Sequence, residues 1–307
     1  MSWLVALALA TTPPVPAVEP APIDPAAVLA AELERLPDRR PTVQVWVNGK
    51  GPFPFIVDTG ANRTSISPAL AARLSLTSQR QDWVNGVTGA ELRPIVTLDR
   101  LEAGALRVGA IEAPIIEQAA LGKAVGILAA NEVLGQRVVL DFARKRYEVA
   151  QTSRYRTSSY GVRLTGELRF GHVLTLPCEI ARIKAKCIID TGSDHSIMNP
   201  ALAEALVVAK KTEVIAKEVP IMGVAARPLK GDVLRMPRVQ LGDIGFEGGA
   251  ALVLDAPIFA FWGLEHEPSL FVGMNVLRAF DAVAIDYPRR TLLLREPPRL
   301  ASLRSGR

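Results

Sequence analysis

The sequence has few of the residues on which common catalytic and metal sites depend. Its 307 residues include only 2 Cys and 3 His, too few for a disulfide-rich scaffold or a four-ligand zinc site built from cysteines. The motifs Gly-x-Ser-x-Gly, Walker A and strand-linked Gly-x-Gly-x-x-Gly are absent. The serine hydrolases, P-loop proteins and dinucleotide-binding folds that carry these motifs are therefore not indicated.

Long apolar runs are also missing, because none reaches the roughly 20 residues that span a bilayer. Residues 3–10 read WLVALALA, like the apolar core and cleavage site of a secretory signal, although no Lys or Arg precedes them. We expect export to the periplasm or the medium; a mis-assigned start or a short anchor is the alternative. The six prolines from Pro13 to Pro25 predict an extended spacer, and residues 26–36 predict a short helix.

The net charge of +5 is concentrated at the C-terminus. Residues 288–307 carry six Arg and one acidic residue, so the rest of the chain is nearly neutral. A basic tail without interleaved aromatic residues is more typical of a solvated chain end than of a nucleic-acid site. We therefore predict no nucleic-acid partner.

An internal repeat organises the remaining chain. Residues 55–70 (FIVDTGANRTSISPAL) align with residues 187–202 (CIIDTGSDHSIMNPAL). Each segment has an apolar strand, an Asp-Thr-Gly turn and a helix start with Pro at its first position, preceded by the N-cap residues Ser67 and Asn199. Such a pattern, present twice, predicts two similar folding units.

A second match follows in the same order. Residues 138–149 (VVLDFARKRYEV) align with residues 283–294 (VAIDYPRRTLLL), each predicting a strand, a basic turn and a returning strand. Two matched blocks indicate a duplicated domain of about 110–130 residues. The predicted division of the chain is a signal-like segment, spacer and helix at 1–40, a first lobe at 41–150, a linker at 151–161, a second lobe at 162–296 and a basic tail at 297–307.

The two Asp-Thr-Gly turns predict a pair of interacting carboxylates. If the two units pack about a pseudo-two-fold axis, Asp58 and Asp190 face each other. Two carboxylates about 3 Å apart repel so strongly that one keeps its proton over a wide pH range. The ionised member then takes a proton from water while the protonated member donates to a carbonyl oxygen. This chemistry suits amide hydrolysis and needs no metal or other cofactor.

With both turns, the chain resembles an aspartic protease of the retropepsin-like group, in a two-lobed single-chain form, over roughly residues 41–296. The resemblance implies an all-β fold of two β-barrel lobes related by a pseudo-two-fold axis, with few short helices. It implies an aspartic endopeptidase whose peptide or protein substrate binds as an added strand. Because one chain carries both turns, we expect a monomer.

The resemblance also assigns roles to residues around the dyad. Asp58 and Asp190 are the expected catalytic pair, and Thr59 and Thr191 would bond across to the opposite loop. Gly60 and Gly192 would let the loops approach closely, and Ser193 would bond its carboxylate where Ala61 cannot. The flaps that close over substrate are expected around Gly86, Gly89 and Gly223.

One position departs from the family pattern of two apolar residues and a Gly behind each active-site loop. The run at 271–273 (Phe-Val-Gly) fits with Gly273, whereas the run at 127–129 (Ile-Leu-Ala) has Ala129. A methyl group there would be absorbed by small shifts or would displace the loop that carries Asp58. The alternative function is accordingly a peptide-binding pseudoprotease that keeps the cleft without turnover.

Two further features leave alternatives open. Cys178 and Cys187 stand symmetrically about residues 182–183, so a hairpin turning there brings them face to face. Buried thiols are the favoured form, and export would permit a disulfide. The aromatic residues of 256–268, which the first repeat lacks, line a substrate pocket or fill a local core.

Overall fold

A computed structural model describes residues 40–78, 80–152, 160–221, 229–247 and 249–297. These residues are mostly strands joined by tight turns, with a few short helices, which confirms the all-β expectation. The strands of the first repeat are β1 (Thr42–Val47), β2 (Lys50–Asp58), β3 (Ser65–Ile66), β4 (Arg80–Gly86), β5 (Gly89–Leu98), β6 (Leu101–Ala103), β7 (Leu106–Val108), β8 (Ile111–Pro114), β9 (Gly126–Ala129), β10 (Arg137–Asp141) and β11 (Arg146–Ala150).

The second repeat has a similar series with more strands. They are β12 (Val162–Thr165), β13 (Glu167–Arg169), β14 (Val173–Ile180), β15 (Ile183–Ile189), β16 (Ser196–Met198), β17 (Val214–Ile221), β18 (Leu229–Arg235), β19 (Val239–Leu241), β20 (Ile244–Phe246), β21 (Ala250–Val253), β22 (Ser269–Val272), β23 (Ala282–Asp286) and β24 (Thr291–Arg295). The helices of the described residues are α1 (Pro68–Leu74), α2 (Gln118–Leu121), α3 (Ala130–Val133), α4 (Pro200–Val208), α5 (Pro257–Phe261) and α6 (Met274–Leu277).

In each repeat a buried hairpin positions the Asp-Thr-Gly turn. β1 pairs antiparallel with β2, and β14 pairs likewise with β15. The second strand of each hairpin also pairs in parallel with a later strand, β2 with β9 and β15 with β22. The apolar residues before each Asp are fully buried, because sheet neighbours lie on both sides of them.

The helix after each turn begins as the sequence predicts. Ser67 accepts a hydrogen bond from the Leu70 N–H at 3.1 Å, and Asn199 accepts one from the Leu202 N–H at 3.0 Å. Pro occupies the first helical position in both helices. A side-chain cap at this place contributes about 1 kcal/mol and fixes where the helix starts.

Five strands from both repeats form one shared sheet, in the order β11-β10-β23-β24-β12. β10 and β23 pair antiparallel, and the register places Val139 opposite Ala284, which are matched residues of the two repeats. The local two-fold axis therefore passes through this sheet. The repeats are joined at the axis by main-chain hydrogen bonds and not only by the linker.

The two cysteines form a disulfide, so the favoured expectation of thiols is wrong. The Cα atoms of Cys178 and Cys187 are 5.9 Å apart, within the usual range. The expected facing geometry is also wrong. The hairpin turns at Ala181 and Arg182, which puts Cys178 opposite Ala185 and Cys187 opposite Leu176, so the bridge links diagonal neighbours.

Several expectations fall on residues that the structure does not describe. The signal-like segment, the spacer and the helix at 26–36 lie outside the described residues, as do most of the linker and the basic tail beyond residue 297. Within the described ranges, no helix combines the length and apolar character needed to cross a membrane.

Candidate active site

Crossed hydrogen bonds hold the two Asp-Thr-Gly turns against each other. The Thr59 hydroxyl donates to the Ile189 carbonyl at 2.7 Å, and the Thr191 hydroxyl donates to the Val57 carbonyl at 2.5 Å. Each hydroxyl oxygen also accepts from the opposite threonine N–H, at 3.1 and 3.2 Å. All four contacts are buried, so they fix the mutual position of the two turns. The threonine contacts agree with the predicted geometry.

The glycine after each threonine leaves space for the opposite carboxyl group. A Cβ built on Gly192 would lie 2.2 Å from Cγ of Asp58, which no side chain can occupy. A Cβ on Gly60 would lie 3.1 Å from Oδ1 of Asp190. Because each carboxyl group packs on the glycine of the other repeat, Asp58 and Asp190 are brought together at the local two-fold axis.

The surroundings of the two carboxyl groups raise both pKa values. Burial, followed by the charge of Asp58, raises the pKa of Asp190 to about 7. Burial also raises the pKa of Asp58, against the hydrogen bonds that its Oδ1 accepts from the N–H groups of Gly60 at 2.9 Å and Ala61 at 3.0 Å. At mildly acidic pH the pair therefore carries one proton between its members.

The side chain of Ser193 does not act as expected. Its hydroxyl donates to the His195 carbonyl at 2.7 Å and does not bond the carboxylate. The backbone N–H of Ser193 contributes instead to the surroundings of Asp190, as the N–H of Ala61 does for Asp58. The loops thus stabilise the carboxylates through main-chain N–H groups. This stabilisation does not depend on whether Ala61 or Ser193 follows the glycine.

The residue runs 127–129 and 271–273 lie at corresponding places in the two repeats, next to the strands that carry Asp58 and Asp190. Ala129 lies opposite Asp58 in the β2–β9 pairing, and its N–H donates to the Thr64 hydroxyl at 3.2 Å. The Gly273 N–H donates to the Ser196 hydroxyl at 3.1 Å. A Cβ on Gly273 would meet the His195 backbone at 2.6 Å, whereas Ala129 is accommodated in the buried core. The backbone N–H of Ala129 thus makes the same kind of hydrogen bond as that of Gly273, so the methyl group does not prevent it.

The first predicted flap is a hairpin that reaches the other repeat. β4 and β5 pair up to Gly86 opposite Gly89, with a turn at Val87 and Thr88. Val87 packs against the buried cluster that contains Phe259 and Trp262, and β4 contacts α5. The hairpin therefore crosses from the first repeat to the second. Gly223, the centre of the other predicted flap, lies outside the described residues.

The aromatic residues of segment 256–268 divide between the two interpretations left open. Phe259 and Trp262 are buried, and Phe259 stacks on Phe271 with ring centroids 4.7 Å apart. Phe261 is 61% exposed. The segment is thus a local core that supports the flap, with one aromatic side chain directed to solvent.

The sequence reasoning missed three residues near the dyad. The charges of Arg40 and His172 act on Asp58. The buried hydroxyl of Tyr287 has no hydrogen-bond partner among the described residues, and burial, followed by the charges of Asp58 and Asp190, raises the pKa of its phenol. Arg40 precedes β1 and His172 precedes β14, and neither belongs to a sequence motif that would have identified it.

No group of three or more His, Cys, Asp or Glu side chains in the described ranges is arranged to hold a metal ion. The carboxylates of Asp58 and Asp190 accept hydrogen bonds from backbone N–H groups of their own loops. Such donors stabilise carboxylate charge directly, and the arrangement can activate a water molecule between one ionised and one protonated carboxyl group.

Comparison with known protein families gives one match, to a family described as aspartyl protease. The match covers residues 43–138 and 176–286, more than half of the chain and one region in each repeat. No curated protein matches the chain.

Proposed function

Since the chain belongs to the aspartyl protease family, we propose that it is an aspartic endopeptidase whose two catalytic carboxylates are Asp58 and Asp190 of a single chain. The observation that carries the proposal is the crossed pair of threonine hydrogen bonds, which holds the two Asp-Thr-Gly turns face to face. This corresponds to the retropepsin-like, two-lobed form that the duplicated motif suggests.

The unlike surroundings of the two carboxyl groups support separate roles. Asp190, 8% exposed and with a pKa raised by burial and by Asp58 to about 7, holds the shared proton. Both carboxyl groups accept backbone N–H groups, and Asp58 is the ionised member because its charge is among the causes that raise the pKa of Asp190. Asp58 removes a proton from the attacking water while Asp190 donates its proton to the carbonyl oxygen, which gives a tetrahedral gem-diol intermediate. Return of a proton to the leaving nitrogen completes hydrolysis.

An extended peptide is the substrate that this site accommodates. In this proposal the β4–β5 hairpin, which reaches from the first repeat to the second, is the flap that offers main-chain hydrogen bonds to an added strand. Because the crossed contacts join two turns of one chain, the monomer contains a complete site. The apolar N-terminal segment and the disulfide both support export to an oxidising compartment, the periplasm or the medium.

The alternative of a non-catalytic peptide binder depended on Ala129. The Ala129 N–H still bonds Thr64 as Gly273 bonds Ser196, so this feature gives no reason to prefer a pseudoprotease.

The proposal is tested by incubating the purified full chain with a mixed peptide library between pH 3 and pH 8 and identifying products by mass spectrometry. We expect internal cleavage that decreases as the pH rises past about 7, where Asp190 loses its proton. The matched control is the Asp58→Asn/Asp190→Asn double variant, prepared in parallel. Cleavage that persists in the control would assign the activity to another protein or another site.

A further inference from the structure

Hydrogen bonds fix the backbone of the loop that follows Asp58. The Ala61 carbonyl accepts the first backbone N–H of α3 at 3.0 Å. The Asn62 carbonyl accepts a hydrogen bond from the side-chain amide of Asn131 at 2.7 Å. The side chain of Arg63, the next residue, therefore starts from a backbone whose position relative to Asp58 is set.

Arg63 connects this loop to the β4–β5 hairpin. Its Nη1 donates to Oδ2 of Asp82 on β4 at 3.0 Å. The other oxygen of that carboxylate, Oδ1, accepts the N–H of Trp83 at 2.9 Å, so the carboxylate has a defined orientation. The hydrogen bond from Arg63 also lowers the pKa of Asp82, which favours the charged form of the pair. The loop of the dyad and the hairpin are thus in direct contact through a charged pair.

The residue across the hairpin from Asp82 is anchored in a similar way. Asp82 lies opposite Arg93 in the β4–β5 pairing. Nη1 of Arg93 donates to Oε1 of Glu117, directly before α2, at 2.8 Å. Both strands of the hairpin are therefore tied at one level to segments outside the hairpin, and Arg63 supplies the tie to the loop of the dyad.

The level of Asp82 and Arg93 divides the hairpin into two parts. Toward the base, residues 95–98 pair with β8 as a third strand. Beyond this level, residues 83–92 pair only with each other among the described residues, and the tip residue Val87 packs against the second repeat. A ribbon of two strands is marginally stable by itself, so its direction depends on how its base is held.

We propose that Arg63 is a positioning residue for substrate binding, which through Asp82 holds the β4–β5 flap in the orientation that accepts a peptide. The inference rests on the proposed function, because it takes this hairpin as the flap of the peptidase. Without the contact the ribbon samples other orientations, and the apparent affinity falls with the fraction of molecules whose flap is in place. Chemistry in the bound complex changes little, since within the described ranges Arg63 bonds neither Asp58 nor Asp190.

The test measures kcat and KM of the full chain on a peptide that the wild type cleaves. Arg63→Gln and Asp82→Asn should each raise KM roughly 2–5-fold, as expected for a partly exposed ion pair, with kcat nearly unchanged. The double variant should be no worse than either single one, because both residues act through one contact. Arg63→Lys, which keeps the charge, should recover most of the affinity. The matched control is Arg107→Gln, which removes an ion pair with Glu102 of 3.4 Å elsewhere in the first repeat and should change neither constant.

Hydrogen exchange, which needs no turnover, separates this inference from the proposed function. Measured by mass spectrometry on the free protein, the amides of residues 83–92 should exchange faster in Arg63→Gln and in Asp82→Asn, to the same extent, and at the wild-type rate in Arg107→Gln. In an active enzyme, an unchanged KM, unchanged exchange of these amides or additive effects in the double variant would overturn the role of Arg63. Faster exchange in a protein that cleaves no peptide would overturn the proposed function and leave the contact between loop and hairpin standing.

Discussion

The two repeats use the same frame around the dyad but stabilise it differently. In the first repeat, Val45 and Phe55 are fully buried at the positions that correspond to Cys178 and Cys187 in the β14–β15 hairpin. Apolar packing in one hairpin thus corresponds to a covalent bridge in the other. The shared requirement is a rigid strand leading into the Asp-Thr-Gly turn, and different side chains meet it.

The contacts at the shared sheet show a similar difference. Asp141 and Asp286 are matched residues, and each binds the arginine three positions later, Arg144 or Arg289. Asp286 also receives Arg137 from the first repeat, in a pair that is almost fully buried. Asp141 receives Arg295 from the second repeat, at a more exposed place. The geometry of the turn is therefore repeated, while the burial of the ion pair is specific to each side.

The largest expected effect tests whether the two aspartates are equally necessary. Asp58→Asn and Asp190→Asn should each lower kcat by about 10³-fold or more, since neither amide can exchange the required proton. Circular dichroism should show that both variants fold. Near-normal peptide cleavage by either variant would contradict the shared dyad.

The same variants distinguish one chain from a dimer of like repeats. Specific activity of the wild type should not change on dilution to nanomolar concentration, and mixing the two single variants should restore nothing. Activity recovered on mixing would mean that Asp58 of one chain pairs with Asp190 of another. Activity that remains in Asp58→Asn alone would mean that like residues pair between two copies, Asp190 with a second Asp190.

Next in size is the effect on the shared sheet. Arg137→Met should lower the free energy of unfolding by about 3–5 kcal/mol, because it leaves the buried Asp286 with Arg289 as its one remaining cationic partner among the described residues. Arg295→Met should cost about 1 kcal/mol or less, since that pair is more exposed. Urea denaturation near pH 7 measures both, and equal losses would show that burial does not distinguish the two sites.

Removal of the disulfide tests the difference between the first hairpins. The Cys178→Ala/Cys187→Ala variant should lose about 2–3 kcal/mol of unfolding free energy, as expected for a short closed loop. Thiol titration of the denatured, unreduced wild type should find no free thiol, because the described residues contain no unbridged cysteine. Two titratable thiols would show that the bridge is not formed in the protein as purified.

The raised pKa of Asp190 predicts a pH-dependent stability difference. An acid whose pKa is higher in the folded state favours folding below its unfolded pKa, and that contribution is lost as the pH rises through about 7. Asp190→Asn should therefore be more stable than the wild type by about 1–3 kcal/mol at pH 8.5, with a smaller difference at pH 4. Thermal unfolding at both pH values measures this. A difference that does not depend on pH would contradict carboxylate repulsion in the pair.

The smallest effects concern the runs behind the loops. Gly273→Ala should cost about 1–3 kcal/mol, because its Cβ would meet the His195 backbone. Ala129→Gly should cost about 0.5–1 kcal/mol through greater freedom of the unfolded chain. Calorimetry of the two variants compares them directly, and a neutral Gly273→Ala would show that the second repeat accommodates a methyl group there as the first does.

Much of the site follows from local sequence patterns. The strands before Asp58 and Asp190 are apolar runs, and Ser67 and Asn199 cap helices that begin with Pro, so these elements depend mainly on neighbouring residues. The crossed threonine contacts were predicted through the family resemblance. The register of the β14–β15 hairpin was not, because Ala181 and Arg182 give no turn signal of the kind that Asn-Gly provides.

The sequence by itself determined the duplication, the all-β character and the two Asp-Thr-Gly turns, since each depends on short sequence patterns that occur in both repeats. Only the tertiary structure decided which groups surround the carboxylates. The charge of Arg40 acts on both carboxylates, and the charges of Asp58 and Asp190 act on the buried phenol of Tyr287. Their influence depends on distances through space and on burial, and neither is encoded in the spacing of residues along one strand.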